Sequence, residues 1–504
     1  MAILAGISGH ARNATVAVVQ DGVLLGVCEE GRVIRVRDIG VDAGGAPEEA
    51  LALLLRAGGL GPDAVSERVV AEPALADASS DPTRLLDHHF AHAATAFLTA
   101  PFDAAAVVVC DTDSVRPVSA WIGTGTSLER VDLEWRGPGP AVLYSRLVER
   151  LGLQPGTDEY LVEALSRLDD GQSAARVREL LEWADGGARV DPGLDGWVAA
   201  TAASAGTPET LGRTAGAVQG RIGELLVEFL AGVRRLTGAS RLCCGGGLFF
   251  NTYLNSVVRQ SGLFDETFVP IHPGNGGLAV GCALARAIEI GERREHGPAA
   301  SCFLGPAYSH EEIKAVLDNC KLAYDFVDDS SLVGLTVDAL SRGELVGWFR
   351  GRMEWGTRAL GNRSIFASPF SPYVLDNLNG FLKHRRTYRG YGLAVCDEQV
   401  SELFEGPVGS PFMECEYRPR EPERFAHILP AGVSTTRVQT VGLEPPLLRE
   451  LIQAFGEAQG TPALVNTSFN GFHEPIVCSP RDGVRVFFGS GLDMLALGNF
   501  VLRK

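Results

Sequence analysis

An α/β fold is predicted from three features of the chain. Strand-like and helix-like segments alternate through the first hundred residues. Residues 240–291 hold two successive units of strand, glycine turn and helix, and the last third carries apolar strands that open directly into polar, cationic loops.

The opening ILAGIS is an apolar strand, and ATVAVVQDGVLLGVCEE reads as two more strands turned at Gln20-Asp21-Gly22, because Asp-Gly between apolar runs marks a hairpin. APEEALALLLRAGGL predicts an amphipathic helix ended by Gly58-Gly59, and AAAVVVCDTD a strand with an acidic end. Residues 140–240 predict a largely helical scaffold, including AVQGRIGELLVEFLAGVRRL at 217–236. SRLCCGGGLFFNTYLNSVV and ETFVPIHPGNGGLAVGCALARAIEIG follow, and glycine turns that open helices can seat phosphate against backbone amides. Charge gives way to Gly, Pro, Ala and Ser around 290–310, which divides the chain into domains 1–300 and 301–504, the second beginning near the helix HEEIKAVLDN. No internal repeat or low-complexity tract is apparent.

With 504 residues the length matches roughly three domains' worth of chain, and 45% hydrophobic content suffices for buried cores. No apolar run approaches the roughly 18 residues of a membrane helix, and MAILAGISGH lacks the basic start of a signal peptide. A cytoplasmic protein without a membrane partner is expected. The net charge of −17 disfavours broad nucleic-acid binding, which depends on basic surface. Ten scattered cysteines with no CxxC pair read as buried, reduced thiols.

Chemistry concentrates late in the chain. RMEWGTRALGNRS, 352–364, packs Arg352, Glu354, Arg358, Asn362 and Arg363 around two glycines after the apolar ELVGWF. Buried arginine is costly unless paired, so such a cluster implies internal carboxylate partners or a phosphate-bearing ligand. GFLKHRRTYRGY adds Lys383, His384, Arg385 and Arg389, and PALVNTSFNGFHEPIVC places Asn466, Thr467, Ser468 and Asn470 after a strand. Guanidinium forks, a movable ammonium and neutral donors together suit phosphate. Earlier, His88 and His92 stand four apart, so on a helix they share a face and can grip one metal.

These segments, with HHFAHAATAF, GGGLFFN and GNGGLAVG, resemble the O-carbamoyltransferases of antibiotic and nodulation-factor biosynthesis across essentially the whole chain. The resemblance implies an actin-like (ASKHA) N-terminal domain for carbamoyl transfer and acceptor binding, and a YrdC-like C-terminal domain that forms carbamoyl adenylate. It further implies ATP with Mg2+, carbamoyl phosphate as donor and a hydroxyl-bearing small molecule as acceptor, an antibiotic sugar or polyketide. Lys383 and Arg389 would be catalytic, with Arg352, Arg358, Asn362, Arg363, Ser468, Asn470 and Asn251 as nucleotide or phosphate ligands. His88, His92, Asp111 and Asn275 would hold a divalent metal, Fe2+ in the family.

The chain departs from the family at several places. Asn275 stands where the family has an aspartate ligand, with Asp113 a nearby substitute carboxylate. Arg12 and Asn13 replace a His-Asp pair, which leaves His10 as the candidate general base, and Leu161 replaces a lysine. Trp348, Trp355, Phe249 and Phe250 suit either core packing or an apolar acceptor surface. Two other functions fit the same motifs: a tRNA threonylcarbamoylation-type enzyme, and a degenerate nucleotide-binding regulator.

Overall fold

In the computed structural model, which describes residues 2–78, 83–112, 116–204, 206–292 and 301–504, the Asp21-Gly22 turn closes a hairpin as the sequence predicts. Both residues have positive φ, 52° and 78°, so this two-residue turn twists with its strands. Strands β1 (Ile3–Ser8), β2 (Thr15–Gln20) and β3 (Val23–Glu29) form an antiparallel meander. After helix α1 (Glu48–Ala57), β4 (Glu67–Val70) and β5 (Thr83–Leu85) add in parallel beyond β1, in the order β3-β2-β1-β4-β5.

A second sheet repeats this topology strand for strand. Helix α2 (His88–Leu98) leads into the meander β6 (Ala104–Cys110), β7 (Val118–Thr124) and β8 (Ser127–Arg130). The stretch 140–240 then supplies α3 (Pro140–Arg150), α4 (Glu159–Ser166) and the thirty-residue α5 (Pro208–Thr237), interrupted by a small hairpin of β9 (Leu181–Ala184) and β10 (Gly187–Val190). Strand β11 (Arg241–Gly245), helix α6 (Thr252–Gln260) and strand β12 (Glu266–Phe268) follow, and both strands run parallel to β6 in the order β12-β11-β6-β7-β8. This duplication is the actin-like architecture. It leaves no repeat in the sequence, because topology requires apolar strands and turns at the right intervals rather than particular side chains.

Helix α7 (Leu278–Glu289) packs on the first sheet and α2 on the second, and the two helices meet in one core. Glycines permit this approach. A Cβ on Gly281 would stand 2.1 Å from the carbonyl oxygen of Ala91, and one on Gly6 would stand 1.8 Å from that of Ala279.

The C-terminal half begins with α8 (His310–Asn319), β13 (Asp325–Phe326), α9 (Asp329–Ser341), β14 (Val346–Phe349), β15 (Arg363–Ala367) and β16 (Gly392–Cys396). It continues through β17 (Phe404–Glu405), β18 (Glu416–Pro419), β19 (Thr436–Val441), α10 (Pro446–Gln459), β20 (Ala463–Ser468), α11 (Pro480–Phe488), β21 (Met494–Leu497) and β22 (Phe500–Arg503). The ten strands form one mixed sheet in the order β13-β22-β21-β14-β15-β20-β16-β19-β18-β17. Alternation along β14 decides its faces: Val346 and Trp348 meet α9 and α10, whereas Phe349 meets α8 and α11.

The expected boundary at 300 falls within residues 293–300, which lie outside the described residues. Beyond it the amide of Val27 in β3 donates to Leu304 O at 3.0 Å, and Cys302 and Leu304 pack into the core shared by α2 and α7. All ten cysteines are free, and nine are buried, with Cys320 exposed. Among the described residues no helix is long and apolar enough to cross a membrane.

Replacing Gly281 tests the helix contact. Gly281→Val should destabilise the protein by about 3 kcal/mol through overpacking, read as a lowered melting temperature; an unchanged melting temperature would show that α2 and α7 separate without penalty.

Candidate functional site

A cavity of about 860 Å3 opens between the two halves. Its N-terminal wall includes Arg12, Tyr144 and Ser145 of α3, Tyr160 and Glu163 of α4, Asp111 and Asn251. Its C-terminal wall includes Arg358, Lys383, Arg389, Arg437 and the end of β20, Asn466 to Ser468.

The 352–364 loop does not present its whole cationic set to this cavity. It folds instead around the buried Glu354, whose Oε1 accepts the amides of Leu360, Asn362 and Arg363 at 2.7, 3.2 and 3.1 Å. The fully buried Arg363 donates to the carbonyls of Arg350, Gly351, Asn362 and Pro306, and its guanidinium lies 3.6 Å from the ring centre of Phe349. Arg352 donates to Gly305 O, Leu304 O and Leu25 O, and Asn362 donates to Arg352 O. Arg352, Asn362 and Arg363 therefore sit outside the cavity lining as backbone staples. Of the loop's candidate ligands, Arg358 alone reaches the cavity.

Arg358 makes one long bond, 3.3 Å, to Phe250 O. Opposite it, burial would raise the carboxyl of Glu163, but Arg167, Arg437 and Arg358 together hold it below its ordinary value. Glu163 is already paired with Arg167 at 2.6 Å, and Arg167 also binds Glu416 of the C-terminal half. Among the described residues Arg358, Arg389 and Arg437 have no carboxylate within ion-pair distance. Burial, with Arg358 and Arg167 nearby, pushes the Arg437 guanidinium well below its ordinary pKa. Burial and Arg385 push Arg389 down to about 10, so it stays charged near neutrality.

Lys383 ends an irregular helical turn, 377–383, and its ammonium is held by Ser468 O at 2.6 Å, Asn470 O at 2.9 Å and Asn470 Oδ1 at 2.5 Å. These three bonds match its three donors. Ser468 Oγ also donates to Asn470 Oδ1, so all three candidate residues form one knot at the cavity wall.

Across the cavity, Asp87 caps α2 by accepting the amide of Phe90, which fixes His88 and His92 on one face. Each Nε2 stands 2.9 Å from Asp111 Oδ2 at the end of β6, and the three ligand atoms lie within 4.8 Å of one another. Donors around a metal bound at about 2.0–2.2 Å stand roughly 3 Å apart, so two imidazoles and a carboxylate so placed fit a divalent transition ion. Burial would raise the Asp111 carboxyl, but hydrogen bonds from His88 and His92 hold it below its ordinary value. Asn275 opens the turn Asn275–Gly277 and lines the same cavity as Asp111. Asp113 lies outside the described residues. His10 is not among the lining residues; its loop is tied down where the amides of Gly9 and His10 donate to Glu72 at 2.7 and 3.1 Å.

Residues 198–284 match the family model described as carbamoyltransferase N-terminus, and residues 337–504 the one described as carbamoyltransferase C-terminus. The nodulation protein NolO of Bradyrhizobium diazoefficiens is 30% identical over 439 residues, 83% of this chain and 79% of that protein. This chain belongs to the carbamoyltransferase family. As a carbamoyltransferase it passes a carbamoyl group from a donor to an acceptor. The uncharacterized protein sll1178 of Synechocystis is 29% identical over 468 residues, 83% of this chain and 76% of its own. Among solved structures, full-length HypF in its phosphate- and nucleotide-bound form is 15% identical, with a TM-score of 0.37, over 60% of this chain and 56% of that one.

Other sequence candidates in the carbamoyltransferase divide between wall and core. Asn251 caps α6 through the amide of Leu254, donates to Gln219 and also lines the cavity. Phe250 lines the cavity, whereas Phe249, Trp348 and Trp355 are buried in cores. Arg437 and Tyr160 escaped the sequence reading. Arg437 carried one usable signal, a lone arginine inside the otherwise uncharged strand TRVQTV.

Two measurements separate staples from ligands. Arg363→Met should cost on the order of 3 kcal/mol by orphaning buried carbonyls, whereas Arg358→Met, which removes an unpaired, partly buried cation, should leave the melting temperature unchanged or higher. Equal destabilisation would make Arg358 structural as well. For the histidine cluster, titration with Fe2+ or Zn2+ followed by metal analysis should show about one equivalent bound, and loss of a ligand in Asp111→Ala should weaken affinity at least 10-fold; undiminished binding by that variant would remove Asp111 from the site.

Proposed function

We propose that this carbamoyltransferase is an ATP-dependent O-carbamoyltransferase that works through a carbamoyl adenylate. In the first stage carbamoyl phosphate gives its phosphate to water, and an oxygen of the remaining carbamate attacks the α-phosphorus of ATP, releasing pyrophosphate. Negative charge builds on phosphoryl oxygens in both steps. Positioned cations in a water-poor site stabilise such charge strongly, which is the role assigned to Arg358, Arg389 and Arg437. Lys383 holds Ser468 and Asn470 in place beside them. This donor chemistry is assigned to the C-terminal half, 301–504, as the YrdC-like unit, and acceptor binding to residues 1–300.

In the second stage an acceptor hydroxyl attacks the carbamoyl carbon, its proton passes to a base, and AMP leaves. His10 does not line the cavity, so we assign it no step. A divalent ion on His88, His92, Asp111 and the Asn275 carbonyl oxygen, Fe2+ by family resemblance, would supply Lewis-acid chemistry. ATP would enter with Mg2+. The acceptor proposed is a hydroxylated secondary metabolite, a sugar or polyketide.

The observation that carries this reading is that a single cavity is lined by unpaired cations of one half and by Asp111 of the other, the carboxylate that His88 and His92 hold from behind. A mixed anhydride formed there need not cross bulk water to reach its acceptor. The purified protein with MgATP should release pyrophosphate only when carbamoyl phosphate is added. Arg437→Ala should slow that release about 100-fold or more, the loss typical of one charge-stabilising group, while His92→Ala should spare it and stop transfer to an alcohol. Release independent of carbamoyl phosphate, or equal loss in both variants, would overturn the two-stage assignment.

A further inference from the structure

Arg389 is held in an unusual manner. Its guanidinium carbon lies 4.5 Å from the ring centre of Tyr160, which comes from α4 on the opposite wall of the cavity. Among the described residues no protein acceptor takes a bond from that guanidinium. A cation held over a ring face spends none of its N–H donors on a protein acceptor, which leaves its donor edge open. Both residues line the cavity, so that edge is available to a ligand there.

The backbone around Arg389 is fixed on the same side. Tyr388 packs against the hydrophobic core of the N-terminal half, the Arg389 amide donates to Arg386 O at 3.1 Å, and Asn379 Nδ2 donates to Arg389 O at 3.3 Å. The peptide is therefore anchored, and the long side chain, which gives no hydrogen bond to an acceptor among the described residues, runs to the ring of Tyr160. A free arginine side chain samples many rotamers, and ordering it on ligand binding costs affinity.

We propose that Tyr160 is a positioning residue for Arg389: its ring pre-sets the plane of the guanidinium so that the donor edge faces the phosphate group of the carbamoyl donor. This rests on the donor chemistry proposed above. It also makes the donor site depend on both halves, because the residue that orients a C-terminal cation belongs to the N-terminal helix α4. The ring acts through its face, so the hydroxyl is dispensable.

The test is carbamoyl-phosphate-dependent pyrophosphate release by the full chain with MgATP, alongside calorimetric titration with carbamoyl phosphate alone. Tyr160→Leu should raise KM and Kd for carbamoyl phosphate about fivefold, the size expected of one partly exposed cation–π contact, with kcat changed less than twofold. Tyr160→Phe should restore both constants to within about twofold of the parent, which a role carried by the tyrosine hydroxyl would not produce. Unchanged constants in Tyr160→Leu, or failure of Tyr160→Phe to restore them, would overturn the inference. If the parent protein binds carbamoyl phosphate yet releases no pyrophosphate, the adenylation reading fails and the calorimetric comparison still decides the role of Tyr160.

Discussion

A guanidinium taken out of water must find acceptors, and at the junction of the two halves several arginines find them in backbone carbonyls of the opposite half. Arg32 of the N-terminal half donates to Glu354 O at 2.7 Å and to Gly356 O, and Arg35 donates to Pro475 O and Ile476 O at 2.8 and 2.6 Å. In return Arg352 donates to Leu25 O at 2.8 Å. Desolvation makes each of these groups expensive to leave unpaired, so the halves stay closed on one another. The cavity is the space this closure leaves.

Its charge runs against that of the chain, which carries a net −17. Most carboxylates on its wall are already engaged: Glu29 by Arg32, Asp38 by Arg37, Glu163 by Arg167 and Glu474 by Arg485, while Asp111 faces two histidines and Glu159 accepts the amide of Gly156. Arg358, Arg389 and Arg437 have no such neutralisation among the described residues, and a site of this kind concentrates anions from a solution that the outer surface repels. Clustering unpaired cations destabilises the folded state, a penalty that an anionic ligand relieves.

Much of the fold was legible because it follows from local rules. The hairpin at Asp21-Gly22, the helix ended by Gly58-Gly59 and the strand running into Asp111 all form where the pattern predicts them. The helix over 88–98 likewise sets His88 and His92 on one face. What the sequence hid depends on distant partners. Arg363 and Arg358 lie in one motif and look alike, yet one turns inward to carbonyls and the other outward to the cavity, a choice made by the Glu354 turn. His10 follows its strand as a base might, but Glu72 binds its loop elsewhere. The duplicated sheets share topology without shared residues, and Tyr160 gains meaning only when α4 meets a loop more than 200 residues away.

The carbonyl staples have an evolutionary corollary. Every residue type offers a carbonyl oxygen, so Arg32, Arg35 and Arg352 recognise the path of the opposing backbone and ignore its side chains. Substitutions at Leu25, Pro475 or Ile476 that preserve the backbone course leave those bonds intact, whereas Gly356, at a φ of 87° and with Ile271 O 3.0 Å from where its Cβ would stand, must stay glycine. The junction can accordingly drift on its accepting side while holding its shape, whereas the arginines themselves have no substitute, since lysine cannot bridge two carbonyls in a plane. Mutational tolerance across this interface is thus lopsided, permissive at Leu25, Pro475 and Ile476 and strict at three donors.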